Sequence, residues 1–153
     1  MKRIAVFPGS FDPITIGHES IIRRSMDLFD EIIIAIGVNS QKQYLYSLDQ
    51  RINWIKKTFE KETKIRVDSY QGMTINYCTK NNAKYILRGL RTSSDFEFER
   101  GIAQMNNAMQ KDLETVFIIS NPEFSAINST IVRDIIRNGG NAQQFVPKEI
   151  KLT

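Results

Sequence analysis

Three short polar clusters carry the residue types that phosphate chemistry needs. The first, Gly9-Ser10-Phe11-Asp12-Pro13-Ile14-Thr15-Ile16-Gly17-His18, directly follows the apolar run Ile4-Ala5-Val6-Phe7. It reads as a buried strand, a tight Gly/Pro turn and the first turn of a helix from Gly17. A helix start leaves backbone N–H groups unpaired and carries partial positive charge, which suits an anion. There Gly9 lets backbone approach a ligand, Ser10 adds a hydroxyl and His18 adds a side-chain donor. A plain βα turn with polar capping would use similar residues, because turns ask for Gly, Pro and Asp. The second cluster, Arg88-Gly89-Leu90-Arg91, and the third, Ile127-Asn128-Ser129-Thr130, favour the anion reading. Two guanidinium groups supply planar forks that match phosphate oxygens.

The clusters must be positioned by the segments between them. Arg3–Phe7 reads as a first strand, and Gly17–Phe29 as a helix with Ile21, Ile22, Met26 and Phe29 at helical spacing. Glu31–Val38 is an almost unbroken apolar strand of the kind covered on both faces. After the polar loop Asn39–Ser47 come a helix over Leu48–Lys61, a strand over Lys64–Ser69 and a short helix over Met73–Asn81. Lys84–Arg88 is the fourth strand, Gly89–Ser94 a turn, Asp95–Met109 a long helix and Thr115–Ser120 the fifth strand. Asn121–Asn128 reads as a loop and Ser129–Asn138 as a helix stopped by Gly139-Gly140, with Ser129 its cap. The tail to Thr153 holds a helical turn near Gln143 and a second after Pro147.

Strands alternating with helices predict an α/β fold: a Rossmann-like, doubly wound, five-stranded parallel sheet of order 3-2-1-4-5, in a single domain over residues 1–153. Ligands in such sheets bind at the carboxyl ends of strands, where strand order reverses. In this order the reversal lies between strands one and four, which the first two polar clusters follow.

Composition narrows the class. Hydrophobic residues make up 41% and charged residues 25% of the 153 residues, ordinary values for a globular protein. The single cysteine, Cys78, cannot pair internally, which fits a reducing cytoplasm. Pro8-Gly9 breaks the first apolar run, so it does not read as a secretory signal, and no apolar run is long enough to cross a bilayer. The expectation is a cytoplasmic protein with no membrane partner. The net charge of +4 permits an anionic partner, but the basic residues are scattered, so no nucleic-acid stripe is expected. There is no GxxxxGK[ST] or GxGxxG loop, no HExxH or CxxC, and only one histidine. Neither a P-loop, a dinucleotide site nor a resident catalytic metal is expected.

Across nearly its whole length the chain resembles the nucleotidyltransferases that share a [T/H]-x-G-H motif, and within them the bacterial phosphopantetheine adenylyltransferases. The resemblance is carried by PGSFDPITIGH, Lys42, RGLR followed by DFEFE, Met105-Asn106 and FSAINST. It implies adenylyl transfer from ATP to 4′-phosphopantetheine, giving 3′-dephospho-CoA and pyrophosphate, with Mg²⁺ assisting. The attacking phosphate is already ionised, so positioning and positive charge are needed rather than a general base. By resemblance His18 stabilises the transition state, and Ser10, Lys42, Arg88 and Arg91 complete the catalytic set. Ser10, Phe11, His18, Gly89, Leu90, Arg91, Glu99 and Phe124–Thr130 (Phe124, Ser125, Ala126, Ile127, Asn128, Ser129, Thr130) would contact ATP. Ser10, Lys42, Met73, Thr74, Arg88 and Asn106 would contact phosphopantetheine. Gly89 would let the backbone approach the nucleotide.

Glu99 also admits a plainer reading, as a helix residue in an i, i+4 pair. Phe96, Phe98 and Trp54 read as core or interface residues. The resemblance further implies a homohexamer, a dimer of trimers, and feedback by coenzyme A. Five positions depart from the common pattern: Ser10 for Thr, Gln43-Tyr44 for Lys-Pro, Thr74 for a bulkier apolar residue and Asn128 for Ser. Rival readings are a sister enzyme with nicotinamide mononucleotide or glycerol 3-phosphate as acceptor, a silent nucleotide sensor, and a nucleic-acid binder. RGLR with DFEFE disfavours the first, and the intact Ser10, His18, Arg88 and Arg91 disfavour the second.

Overall fold

The computed structural model describes residues 1–152, so the last position of the tail, Thr153, lies outside the described residues. Alternation of side chains along the strands decides the layers. On β1 (Ile4–Gly9), Ala5 and Phe7 join one core while Val6 joins the other. On β2 (Glu31–Gly37), Ile32, Ile34 and Ile36 face the first core, and Ile33 and Ala35 face the second. This period of two explains why the run is apolar throughout: both faces are covered.

The first core is closed by α1 (Ile16–Ser25), α2 (Leu48–Thr58) and α5 (Ser129–Arg137), through Ile21, Ile22, Trp54, Ile55 and Val132. Trp54 is therefore core, as its sequence context suggests. The second core is closed by α3 (Thr74–Lys80), which contributes Ile75, Tyr77 and Cys78. The long helix α4 (Ser93–Met109) buries no residue.

Adding β3 (Ile65–Tyr70), β4 (Tyr85–Leu90) and β5 (Glu114–Ile119) gives one parallel sheet of order β3-β2-β1-β4-β5. The expected strand order is found. The register holds the feature that makes the site. β1 pairs with β2 along Ile4–Gly9, but with β4 only at Ala5↔Tyr85 and Val6↔Ile86. Beyond Val6 the two central strands part, and a crevice opens at their carboxyl ends.

Several element ends differ from expectation for local reasons. β1 runs on through Pro8-Gly9 because its pairing with β2 continues to Gly9↔Ile36. The ladder to β4 has already ended there, so proline's missing N–H is not needed on that side. β4 extends past Arg88 to Leu90, held by pairing with β5 as far as Leu90↔Ile119. α1 and α2 stop short of Phe29 and Lys61. Near each end a hydroxyl bonds back to a carbonyl four residues earlier, Ser25 to Ile21 at 2.6 Å and Thr58 to Trp54 at 2.8 Å. α4 starts two residues before Asp95 because Thr92 caps it, its hydroxyl accepting from the Asp95 N–H at 3.1 Å. A 3₁₀ turn occupies Pro122–Phe124 in the expected loop. In the tail the only described helical turn is Gln143–Phe145, and after Pro147 the chain makes a turn closed by Ile150 N–H on the Pro147 carbonyl.

Ile34 is fully buried at the centre of the sheet. Ile34→Ala should lower unfolding free energy by about 2–5 kcal/mol, read as a shift in the urea midpoint. A loss below about 1 kcal/mol would mean that the sheet centre collapses around the deletion.

Candidate active site

The helix that begins beneath the crevice is capped by its own histidine. Thr15, not Gly17, sets the start of α1. Its hydroxyl accepts from the His18 N–H at 3.3 Å, while His18 Nδ1 accepts from the Thr15 N–H at 3.0 Å. This is a reciprocal capping box with histidine in the place usually taken by Glu or Gln. With Nδ1 accepting, the neutral ring carries its proton on Nε2. Burial of the ring, then the charges of Arg88 and Arg91, lower the His18 pKa to about 4. Protonating Nδ1 would also take the acceptor from Thr15 N–H. His18 is thus a neutral donor at physiological pH.

Its ring meets Phe11 edge-on at 5.0 Å. Phe11 holds φ at 48°, in the left-handed region that a phenylalanine rarely adopts. The turn is shaped by that ring. A Cβ on Gly9 would stand 3.1 Å from it, so Gly9 makes room for Phe11 as well as lining the crevice. Gly89 has a similar structural reason: a Cβ there would stand 3.0 Å from the Ile21 side chain of α1. Close strand–helix packing, not only ligand approach, requires that glycine.

Arg88 spans the parted strands. Its Nη1 donates to the Pro8 carbonyl at 2.7 Å, and it grips Glu99 through Nη2–Oε1 at 2.7 Å and Nε–Oε2 at 3.1 Å. Glu99 is therefore paired across elements rather than one turn along its own helix. Arg91 engages Asp95, with Nε 3.4 Å from the carboxylate. Lys42 reaches from the loop after β2 to place Nζ 3.3 Å from the Ser10 hydroxyl.

Two cavities of about 330 Å³ each open here, a size usual for small-molecule sites. They share Pro8, Gly9, Ser10, Arg88 and Glu99 as a common wall. The first also takes Phe11, His18, Lys42, Gly89, Arg91, Phe124, Ile127, Asn128, Ser129 and Thr130. The second takes Thr74 and Asn106, with Tyr70, Phe98, Ile102 and Ala103. Phe98 is therefore a cavity wall as well as an exposed residue of α4, and Phe96 packs edge-on against Phe117.

Four expected residues lie off these walls. Leu90 is buried, Met73 is the exposed N-cap of α3, Ala126 is exposed, and the Ser125 hydroxyl donates to the Pro122 carbonyl at 2.8 Å. Lys42 lines the first cavity rather than the second. The cap of α5 is also reassigned. Asn128 accepts from the Ile131 N–H at 2.9 Å, and Ser129 donates instead to the Pro13 carbonyl at 2.9 Å.

The sequence reading missed Arg133, which lines the first cavity and donates to the Asp12 carbonyl at 2.9 Å. Its position one helical turn after Ser129 was the available signal. Tyr70, at the carboxyl end of β3, was missed as well.

Among the described residues no group of three or more His, Cys, Asp or Glu could hold a metal, and no helix is long and apolar enough to cross a membrane. The carboxylates on the cavity walls, Asp95 and Glu99, are both taken up by arginines.

Comparison with known proteins adds to this geometry. A cytidylyltransferase-like family profile matches residues 6–135. The chain is 53% identical over 150 residues to the phosphopantetheine adenylyltransferase of Flavobacterium psychrophilum, covering 98% of this chain and 99% of that one. It is 46% identical over 147 residues to the enzyme of the same name from Leptospira biflexa, covering 96% and 92%. Among solved structures, a bifunctional NMN adenylyltransferase/ADP ribose pyrophosphatase from Francisella tularensis superposes with a TM-score of 0.70 at 19% identity. That match covers 98% of this chain and 46% of that one, and it speaks to the fold alone.

The chain has one histidine, so its imidazole signals are unambiguous. In NMR titrations of the free protein, His18 should stay neutral with the Nε2–H tautomer down to about pH 5 and titrate near pH 4. Because the folded pKa lies below the unfolded value of about 6.5, the unfolded chain binds more protons between these two values. Stability attributable to His18 is therefore present above about pH 6.5 and lost as pH falls toward 4, relative to His18→Gln. A titration midpoint near 6.5 would show that the arginines and burial do not act on the ring.

Proposed function

The chain belongs to the phosphopantetheine adenylyltransferase family, and from that membership we propose that the two joined cavities transfer the adenylyl group of ATP to 4′-phosphopantetheine. The products are 3′-dephospho-CoA and pyrophosphate. One observation carries the assignment of parts: two cavities meet at Ser10 and Arg88, with His18 beside that junction in the first. A reaction joining two phosphates needs this arrangement, one ligand entering from each side.

ATP occupies the first cavity. Its phosphates face Arg91 and the N-terminus of α1, and Ser129 and Thr130 stand at the N-terminus of α5. The pantetheine arm follows the second cavity past Thr74 and Asn106, bringing its phosphate to Ser10, Lys42 and Arg88. The acceptor oxygen attacks the α-phosphorus in line, the bond to the bridging oxygen breaks, and pyrophosphate leaves with the electron pair. No proton has to be removed from the nucleophile.

His18 Nε2–H donates to a non-bridging oxygen of the α-phosphate as charge gathers there. Being neutral and fixed by its capping bonds, it needs no reorganisation at that moment. Arg88 and Arg91 offset the charge of the crowded phosphates. Mg²⁺ enters bound to ATP rather than held by the chain, consistent with carboxylates already paired to arginine.

The enzyme works as a homohexamer in the cytoplasm. Phe98, Ile102, Met105 and Met109 stand exposed on α4, an apolar face of the kind assembly covers. Coenzyme A, which carries both the pantetheine arm and the adenosine, spans both cavities and inhibits.

The test is pyrophosphate release with MgATP and, separately, phosphopantetheine, nicotinamide mononucleotide and glycerol 3-phosphate, with the product weighed by mass spectrometry. Release with phosphopantetheine alone is expected; release with another acceptor instead would replace the substrate and keep the mechanism. His18→Ala should leave the KM for ATP nearly unchanged while lowering kcat by about 100- to 1000-fold. Matching losses in both parameters would remove its transition-state role. Arg88→Ala should chiefly raise the KM for phosphopantetheine, and an effect confined to ATP would exchange the duties of the two arginines.

A further inference from the structure

Lys42 is an exposed lysine on a loop, yet its ammonium is held at the Ser10 hydroxyl, 3.3 Å away. A four-carbon stem does not stay there unaided. The restraint comes from Tyr44, which stands where the common family pattern has proline. The Lys42 ammonium lies 5.5 Å from the centre of the Tyr44 ring. The Arg51 guanidinium carbon lies 4.1 Å from the same centre.

Both distances fall within the reach of a cation–π attraction, which strengthens as the cation leaves bulk water. Arg51 is itself buried and fixed, donating to the Ser10 carbonyl at 2.8 Å and to the Tyr46 carbonyl at 3.1 Å. The Tyr44 hydroxyl accepts from the Asn39 N–H at 3.2 Å and faces the Gly37 carbonyl at 3.5 Å. Arg51 thus ties the Ser10 turn to the loop, and Tyr44 ties Lys42 to Arg51 and to the end of β2. Where proline would stiffen the backbone, a side chain pins it.

We propose that Tyr44 is a positioning residue that holds the Lys42 ammonium beside Ser10 for the acceptor phosphate. This rests on the assignment of Lys42 to that phosphate. The ring touches no substrate; it limits where the ammonium can go, so its effect is specific to the acceptor and vanishes without Lys42.

The experiment is steady-state kinetics on Tyr44→Leu, Tyr44→Phe, Lys42→Ala and the double variant Lys42→Ala/Tyr44→Leu, with urea midpoints for each. Tyr44→Leu should raise the KM for phosphopantetheine by about three- to tenfold and leave that for ATP within about twofold. Tyr44→Phe keeps the ring and should remain within about twofold of the parent for both substrates. In the Lys42→Ala background, Tyr44→Leu should add less than about a twofold change.

An unchanged acceptor KM in Tyr44→Leu, equal rises for both substrates, or a full additive effect on top of Lys42→Ala would each overturn the proposal. If Lys42→Ala alone leaves the acceptor KM unchanged, the assignment of Lys42 falls and the proposal with it, while turnover by the parent enzyme still supports adenylyl transfer. Should Tyr44→Leu not fold, Tyr44→Met enters the same comparison with the same criteria.

Discussion

The structure depends on the early parting of its two central strands. β1 and β4 share only two paired positions, and the wall common to both cavities stands in the gap beyond them. Backbone groups left without a ladder partner must find another, because a buried carbonyl without one is costly. Arg88 supplies that partner by donating to the Pro8 carbonyl, so one side chain both seals the sheet and stands in the site. The capped N-terminus of α1 lies on one side of this seam, and α4 brings Glu99 to the other.

The electrostatic arrangement follows from the same crowding. Burial first, and then the charges of Arg88 and Arg91, keep the histidine uncharged. A charged imidazole would bind phosphate strongly before reaction as well as during it, which lowers KM without raising kcat. In the proposed transfer, a neutral N–H locked by Thr15 follows the charge that develops. Glu99 and Asp95 meanwhile hold the two arginines in place, while Lys42 and Arg133 on the same wall leave the free site net positive.

What the sequence revealed and what it concealed divide along physical lines. The strand order and the run Ile32–Ile36 were legible because periodicity and apolar content are local signals. The polar clusters were legible because turn residues and helix starts sit at short, fixed spacings. Helix ends were misjudged where a single hydroxyl, Ser25 or Thr58, turned back on its own helix. Gly9 and Gly89 read as ligand-facing, whereas each also answers to a side chain, Phe11 hidden in the same turn and Ile21 distant in sequence. The Arg88–Glu99 pair joins a strand to a helix 11 residues on, and no local pattern announces it. Met73 and Thr74 are neighbours in sequence, but only the second faces the cavity, since α3 begins between them.

The wall common to the two cavities has one more implication. Arg88 and Glu99 border both spaces, so a ligand that draws the guanidinium away from the carboxylate on one side rebuilds the boundary of the other. Affinity on the two sides is then a linked quantity. Whatever factor a ligand in one cavity imposes on binding in the other, the second ligand must impose on the first, since the two routes round the cycle end in the same doubly occupied state. An ion pair at a partition makes two adjacent sites a single thermodynamic unit.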